Sequence, residues 1–205
     1  MSEEKDQSPA ARLVAAPTPH IGDWLRLMIH ELVKQAEWGH AAGSRVLDGS
    51  ESVWTDLQLL SSHAGSVAAF VDSLGMRAQT LANAYPARPE SLRLLSGTTF
   101  DFDPTRELRN AIAHIDERLE LRWLQLAELD SAPPELSARS VNNNSAESII
   151  RLDESKKTVS VLSQSGKKRH EINIRELTEE LSRLQQQATQ AWLWLTFRPG
   201  PSSST

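Results

Sequence analysis

Apolar residues recur at helical spacing through most of the chain and switch to strict alternation near residue 148. Around residues 19–42, Ile21, Trp24, Leu25, Met28, Leu32 and Ala36 fall on one face, which predicts a helix. From near Ser50 the apolar positions are Val53, Leu57, Leu60, Ala64, Val67, Val71, Leu74, Ala78 and Leu81, spaced alternately by four and three. That is a heptad seam, with small Ala64 and Ala68 permitting close helix approach and Gly65 and Gly75 as points of bending. After a short turn or helix around Pro89 to Leu95, "GTTFDFDP" carries a helix start, with Asp103 expected as N-cap and Pro104 at the first helical position. The third helix then runs with a core stripe of Leu108, Ile112, Ile115, Leu119, Trp123 and Leu126, and "DSAPPE" stops it.

Residues 131–146 form a polar loop, and beyond it "SIIRLD", "TVSVLS" and "RHEINI" alternate as strands do. Joined by "ESKK" and "QSGKK", they predict an antiparallel meander with Ile150, Leu152, Val159, Val161, Ile172 and Ile174 inward. A last helix is expected over residues 175–197. A three-stranded meander cannot bury its own face, so it needs a helix to rest on, most simply this last one. The predicted class is mainly α: a helical bundle over residues 19–130, then the loop, then the meander and C-terminal helix over 147–197 packed on the bundle. Polar, Pro- and Ser-rich tails at 1–18 and 198–205 are expected to be disordered.

Composition narrows the chemistry. A net charge of −5 over 205 residues leaves no overall basic attraction for nucleic acid, so any RNA contact has to be local. The absence of cysteine excludes disulfides, thiolate zinc sites and cysteine nucleophiles, and fits a reducing cytoplasm. The acidic start "MSEEKDQSPAARLVAAPTP" does not read as a signal peptide, and no apolar run approaches membrane-spanning length. "HELVK" at His30 resembles a zinc-protease motif but carries Lys34 where the second histidine belongs. The histidines at 20, 40, 63 and 170 form no ligand spacing, so no metal or cofactor is expected. "KK" at 156–157 and "KKRH" at 167–170 occupy opposite ends of the middle strand and read as solvated turns.

One stretch remains. "RNAIAH", from Arg109 to His114, sits in the third helix. Arg109 flanks the core stripe, while Asn110, His114 and Glu117 line up on the face away from it, continued by Leu121, with Ala113 and Leu124 adding apolar area. A helix with one core face and a second partly apolar face is expected to have a second partner, and a symmetric homodimer is the simplest.

The same stretch resembles the signature of HEPN domains: an arginine, commonly followed by a polar residue such as asparagine, then a few residues and a histidine, on a late helix of a helical bundle. The wider "LRNAIAHIDERLE", followed by a Pro-containing loop, a β-meander and a final helix, is similar to a group of uncharacterised bacterial HEPN-like proteins. The resemblance implies an all-helical bundle that pairs so that two motifs face one cleft. It also implies a metal-independent endoribonuclease of toxin or anti-phage type, acting on RNA and held in check by a protein antitoxin or inhibitor. On that reading Arg109 grips the phosphate, His114 moves protons, Asn110 orients the imidazole, and Asp116 and Glu117 support the set. The branch with a modified tyrosine carries it two residues after the histidine; here that residue is Asp116, and the only tyrosine is Tyr85.

A plainer reading stands beside it. Arg109 and Asp116 can form an ordinary ion-pair set, and Asn110 and His114 can hydrogen-bond a loop and clasp the meander to the bundle. Asp116, Glu117 and Glu120 also bring negative charge to a supposed phosphate site. The protein is then a non-catalytic HEPN-like dimer, a binding or structural module.

Overall fold

A computed structural model describes residues 19–71, 92, 93, 96–128 and 148–197. The two tails, the seam beyond Val71, the loop at 131–146 and the side chains of Ile21, Trp24, Trp123 and Leu126 lie outside the described residues. In chain order the elements are α1 (Pro19–Leu47), α2 (Val53–Val71), α3 (Asp103–Ala113), α4 (Ile115–Glu128), β1 (Ile150–Asp153), β2 (Thr158–Leu162), β3 (Arg169–Asn173) and α5 (Ile174–Phe197). The fold is mainly helical, with a three-stranded antiparallel sheet just before the last helix, as the apolar pattern predicts.

The described residues divide into two compact units, and each is built from segments distant in sequence. One takes residues 19–37, 66–71, 92–100 as described, and 180–197. Its apolar centre includes Leu25, Ile29, Leu32 and Ala36 of α1, Val67 and Val71 of α2, and Leu181, Leu184 and Ala188 of α5. These recur every three or four residues, so each helix buries one stripe. The loop before α3 is fastened to α5 here: Thr98 Oγ1 donates to Glu180 Oε1 at 2.5 Å, and Arg183 Nε donates to Glu180 Oε2 at 2.7 Å.

The other unit comprises residues 38–65, 101–128 and 148–179. The α1 helix runs to Leu47, five residues past the expected end, and stops where Gly49 takes φ +79°, a conformation open to glycine. Arg45 Nε donates to Asp56 Oδ1 at 2.6 Å and ties the end of α1 to the start of α2. At Gly43 the start of α5 comes so close that an added β-carbon would collide with Thr178, and His40 Nδ1 donates to the Thr178 carbonyl at 3.2 Å.

The meander follows its predicted alternation. Ile150 pairs with Val161 and Leu152 with Val159 across β1 and β2, Val159 pairs with Ile172 across β2 and β3, and all of these are buried together with Ile174. One expectation is corrected: the helix lying closest to β2 and β3 is α3, not the C-terminal helix. Ile174, at the end of the alternation, is already the first residue of α5, so the last strand feeds straight into that helix.

Candidate functional site

The site is carried by α3, α4 and the junction between them. The α3 helix begins one residue earlier than the capping signal suggests. Phe102 is its N-cap and Asp103 its first residue, while Asp101 Oδ1 accepts from the Asp103 N–H at 2.9 Å and turns the chain into the helix. Thr105, Leu108 and Ala111 are the residues of α3 that are buried. Ile112, Ile115 and Leu119, expected in the core stripe, are only half-buried. The stripe is therefore rotated by about one position, toward Leu108, Ala111 and, in α4, Arg118.

The predicted single helix is interrupted at His114, which has φ −124° and ψ 42°. No proline or glycine marks the spot, and the backbone groups of His114 itself stay paired. The His114 N–H donates to the Asn110 carbonyl at 3.1 Å, and the His114 carbonyl accepts from the Arg118 N–H at 3.0 Å. One residue closes the first helix and opens the next.

The exposed side of this segment collects the expected residues. Arg109, Asn110, Ala113, His114, Asp116 and Glu117 are all exposed. Among the described residues, Arg109 and Asn110 have no side-chain hydrogen bond or ion pair. The aliphatic stem of Arg109 lies on α2 at Gly65: a β-carbon there would collide with Arg109 Cδ and stand 3.2 Å from its Cβ. Gly65 thus lets the stem lie flat and present the guanidinium at the surface. It does not interrupt α2, which runs unbroken through it.

The group beside His114 is Glu117. Its Oε1 lies 3.6 Å from His114 Nδ1, beyond hydrogen-bond length but close enough for an ion pair when the imidazole is protonated. Asn110 was expected to orient the ring; what it contributes is its backbone carbonyl, to the His114 amide. The expected Arg109–Asp116 ion pair is not among the pairs formed; Arg118 and Glu107 pair instead, at 3.0 Å.

Arg118 is the residue that sequence reasoning missed. Its side chain is 9% exposed, and besides Glu107 it reaches the Leu162 carbonyl from Nη1 at 3.1 Å. It performs the clasp between helix and meander that the plainer reading gave to Asn110 and His114. The available signal was its position, seven residues after buried Ala111 and so on the same side of a helix, but a charged residue there reads as solvent-facing. The earlier lead at His30 is an exposed histidine whose ring stands 5.6 Å from that of Trp192. Among the described residues no three or more of His, Asp and Glu gather in a way that could hold a metal, and no helix is long and apolar enough to cross a membrane.

No family model, curated protein or solved structure matches the chain.

Proposed function

We propose that this chain is a HEPN-like protein whose Arg109–Asn110–His114 face is a metal-independent endoribonuclease site of toxin or anti-phage type. The observation that carries the reading is a division of labour. Three side chains able to handle a phosphodiester stand exposed on one segment, and the structural clasp is Arg118 instead. Exposed polar residues that hold nothing together are available to a ligand.

In the proposed reaction His114 takes the proton from an RNA 2′-hydroxyl. The freed oxygen attacks the adjacent phosphorus, the bond to the 5′-oxygen breaks, and a proton returns to that oxygen. The products are a 2′,3′-cyclic phosphate and a 5′-hydroxyl. Arg109 supplies a planar, permanently charged fork to the phosphate oxygens as negative charge builds. Glu117 is placed to stabilise the imidazolium that follows proton uptake. A base and an acid are both needed, and a homodimer that faces two His114 side chains across one cleft supplies them. The partners are then a second copy, RNA, and a protein inhibitor.

The test is purified protein incubated with mixed RNA, with and without EDTA. Cleavage that EDTA leaves unchanged, giving cyclic phosphate ends, supports the site; intact RNA at micromolar protein contradicts it.

A second reading is favoured by a specific observation. Leu124 is 53% exposed, and Asp116, Glu117 and Glu120 crowd the same surface with negative charge. Such a surface suits a protein partner or a second copy without catalysis. Under that reading RNA stays intact, light scattering gives a dimer, and Leu124→Asp converts it to monomer.

A further inference from the structure

The meander carries a second collection of arginines, and the function proposed above does not use it. Arg151 on β1 is paired in register with Ser160 on β2, and Arg169 on β3 is paired with Leu162. Because side chains alternate along a strand, Arg151, Ser160, Leu162 and Arg169 share the outward face, opposite the buried Ile150, Val159 and Val161. Arg169 is held firmly: Nη2 donates to the Ser148 carbonyl at 2.5 Å and Nη1 to Ser160 Oγ at 3.3 Å.

The α4 helix adds a third arginine. Arg118 fastens α4 to the Leu162 carbonyl, next to Arg169 in the register. Arg122 follows four residues later, on the same side of the helix. Its Nε is buried and has no hydrogen-bond partner. Burial, then the neighbouring Arg151 and Arg122 guanidiniums, push Arg169 below the ordinary arginine pKa. Arg151 and Arg122 thus each bring a like charge near Arg169 in a half-buried setting, where charges are less well screened than in water. A hollow of about 690 Å³ opens on the same outward face, beside Arg151 and Ser160. Its other walls include Asp153 and Glu171; the Asp153 carboxylate is already occupied by the Ser155 hydroxyl and by the Ser155 and Lys156 amides.

We infer that Arg122, Arg151 and Arg169 form an oxyanion site fitted to a phosphate group, at the edge of the meander's outward face. Guanidiniums offer planar pairs of donors that match phosphate oxygens, and an anion between them turns mutual repulsion into attraction. The buried Nε of Arg122 supplies a donor in want of an acceptor. The inference does not rest on catalysis at His114. The phosphate is either one unit of an RNA backbone or a free phosphate.

The experiment is thermal melting of the full chain at constant ionic strength, with chloride exchanged for inorganic phosphate or with a 2′-O-methyl RNA oligonucleotide added. Wild type, Arg122→Gln and Arg151→Gln are compared; both variants keep the Arg169 bonds to Ser148 and Ser160. A ligand that binds the folded state raises Tm with its concentration. The expected result is a rise in wild type that both variants lose, while each variant without ligand melts no lower than wild type because a repulsion has been relieved. A response to phosphate identifies a small-anion site, and a response to the oligonucleotide alone identifies an RNA backbone site. No rise in wild type with either ligand overturns the inference. So does an equal rise in wild type and variants, which marks a general salt effect, or a lower ligand-free Tm in both variants, which marks purely structural arginines.

Discussion

Arg118 on α4 donates a hydrogen bond from Nη1 to the Leu162 carbonyl of β2 at 3.1 Å, and its Nη2 meets Glu107 of α3 at 3.0 Å. One guanidinium joins the two helices on either side of His114 to the sheet. Removing it strands the Glu107 carboxylate and leaves a strand carbonyl short of a donor. Arg118→Ala is expected to cost about 2–4 kcal/mol in chemical denaturation. Arg118→Lys should recover little of this, because a single ammonium cannot reach both partners. A loss below about 0.5 kcal/mol for Arg118→Ala would place the meander's support elsewhere.

Burial within α3 sets a second expectation. Leu108 is 1% exposed, whereas Ile112 is half-buried. Leu108→Ala should therefore destabilise by about 2–5 kcal/mol, with Ile112→Ala well below it. Equal losses would restore the stripe read from the sequence.

Gly65 and Arg109 should be energetically coupled. Alanine at 65 gains about 1 kcal/mol in helix propensity but must displace the Arg109 stem, and overpacking of this kind costs about 1–3 kcal/mol. Gly65→Ala is expected to be neutral to destabilising in the wild type and stabilising in an Arg109→Ala background. A double-mutant cycle with no coupling would mean that the stem does not rest on α2.

What the sequence made legible follows from which forces leave a pattern. Ile150, Leu152, Val159, Val161 and Ile172 were readable because a sheet with one covered face writes a period of two. The exposure of Asn110, His114 and Glu117 was readable because α3 and α4 keep one apolar side. The break at His114 was not: it uses no Gly or Pro and satisfies its backbone through Asn110 and Arg118. Nor was the role of Arg118, since a buried arginine is specified by partners brought in from Glu107 and Leu162, the latter 44 residues on. The meander's partner was missed for the same reason, because local alternation says that a face is covered and not by what.

Acid should test the α1–α2 connection. The hydrogen bond from Arg45 holds the Asp56 carboxyl below the ordinary aspartate range despite its burial, with Ser50 adding to the effect. The folded chain thus binds fewer protons than the unfolded chain between the two pKa values, so stability rises with pH through that window. The contribution is complete above the unfolded value of about 3.9 and is lost as pH falls through the lower folded value. Urea midpoints of wild type and Asp56→Asn should differ most near neutral pH and converge toward about pH 2. A gap that widens on acidification would contradict the assignment.

In the proposed function Arg109 and His114 act on RNA and do not hold the fold. The most direct measurement pairs an RNA cleavage gel with a melting curve for wild type, His114→Ala and Arg109→Lys. His114 is 59% exposed, and among the described residues its one side-chain polar partner is Glu117, at long range, so the substitution should leave Tm within about 2 °C of wild type. The predicted result is cleavage to 2′,3′-cyclic phosphate ends by wild type, none by His114→Ala or Arg109→Lys, and three superimposable melting curves. Intact RNA with wild type, together with a lower Tm for both variants, would contradict the claim and make "RNAIAH" a structural segment.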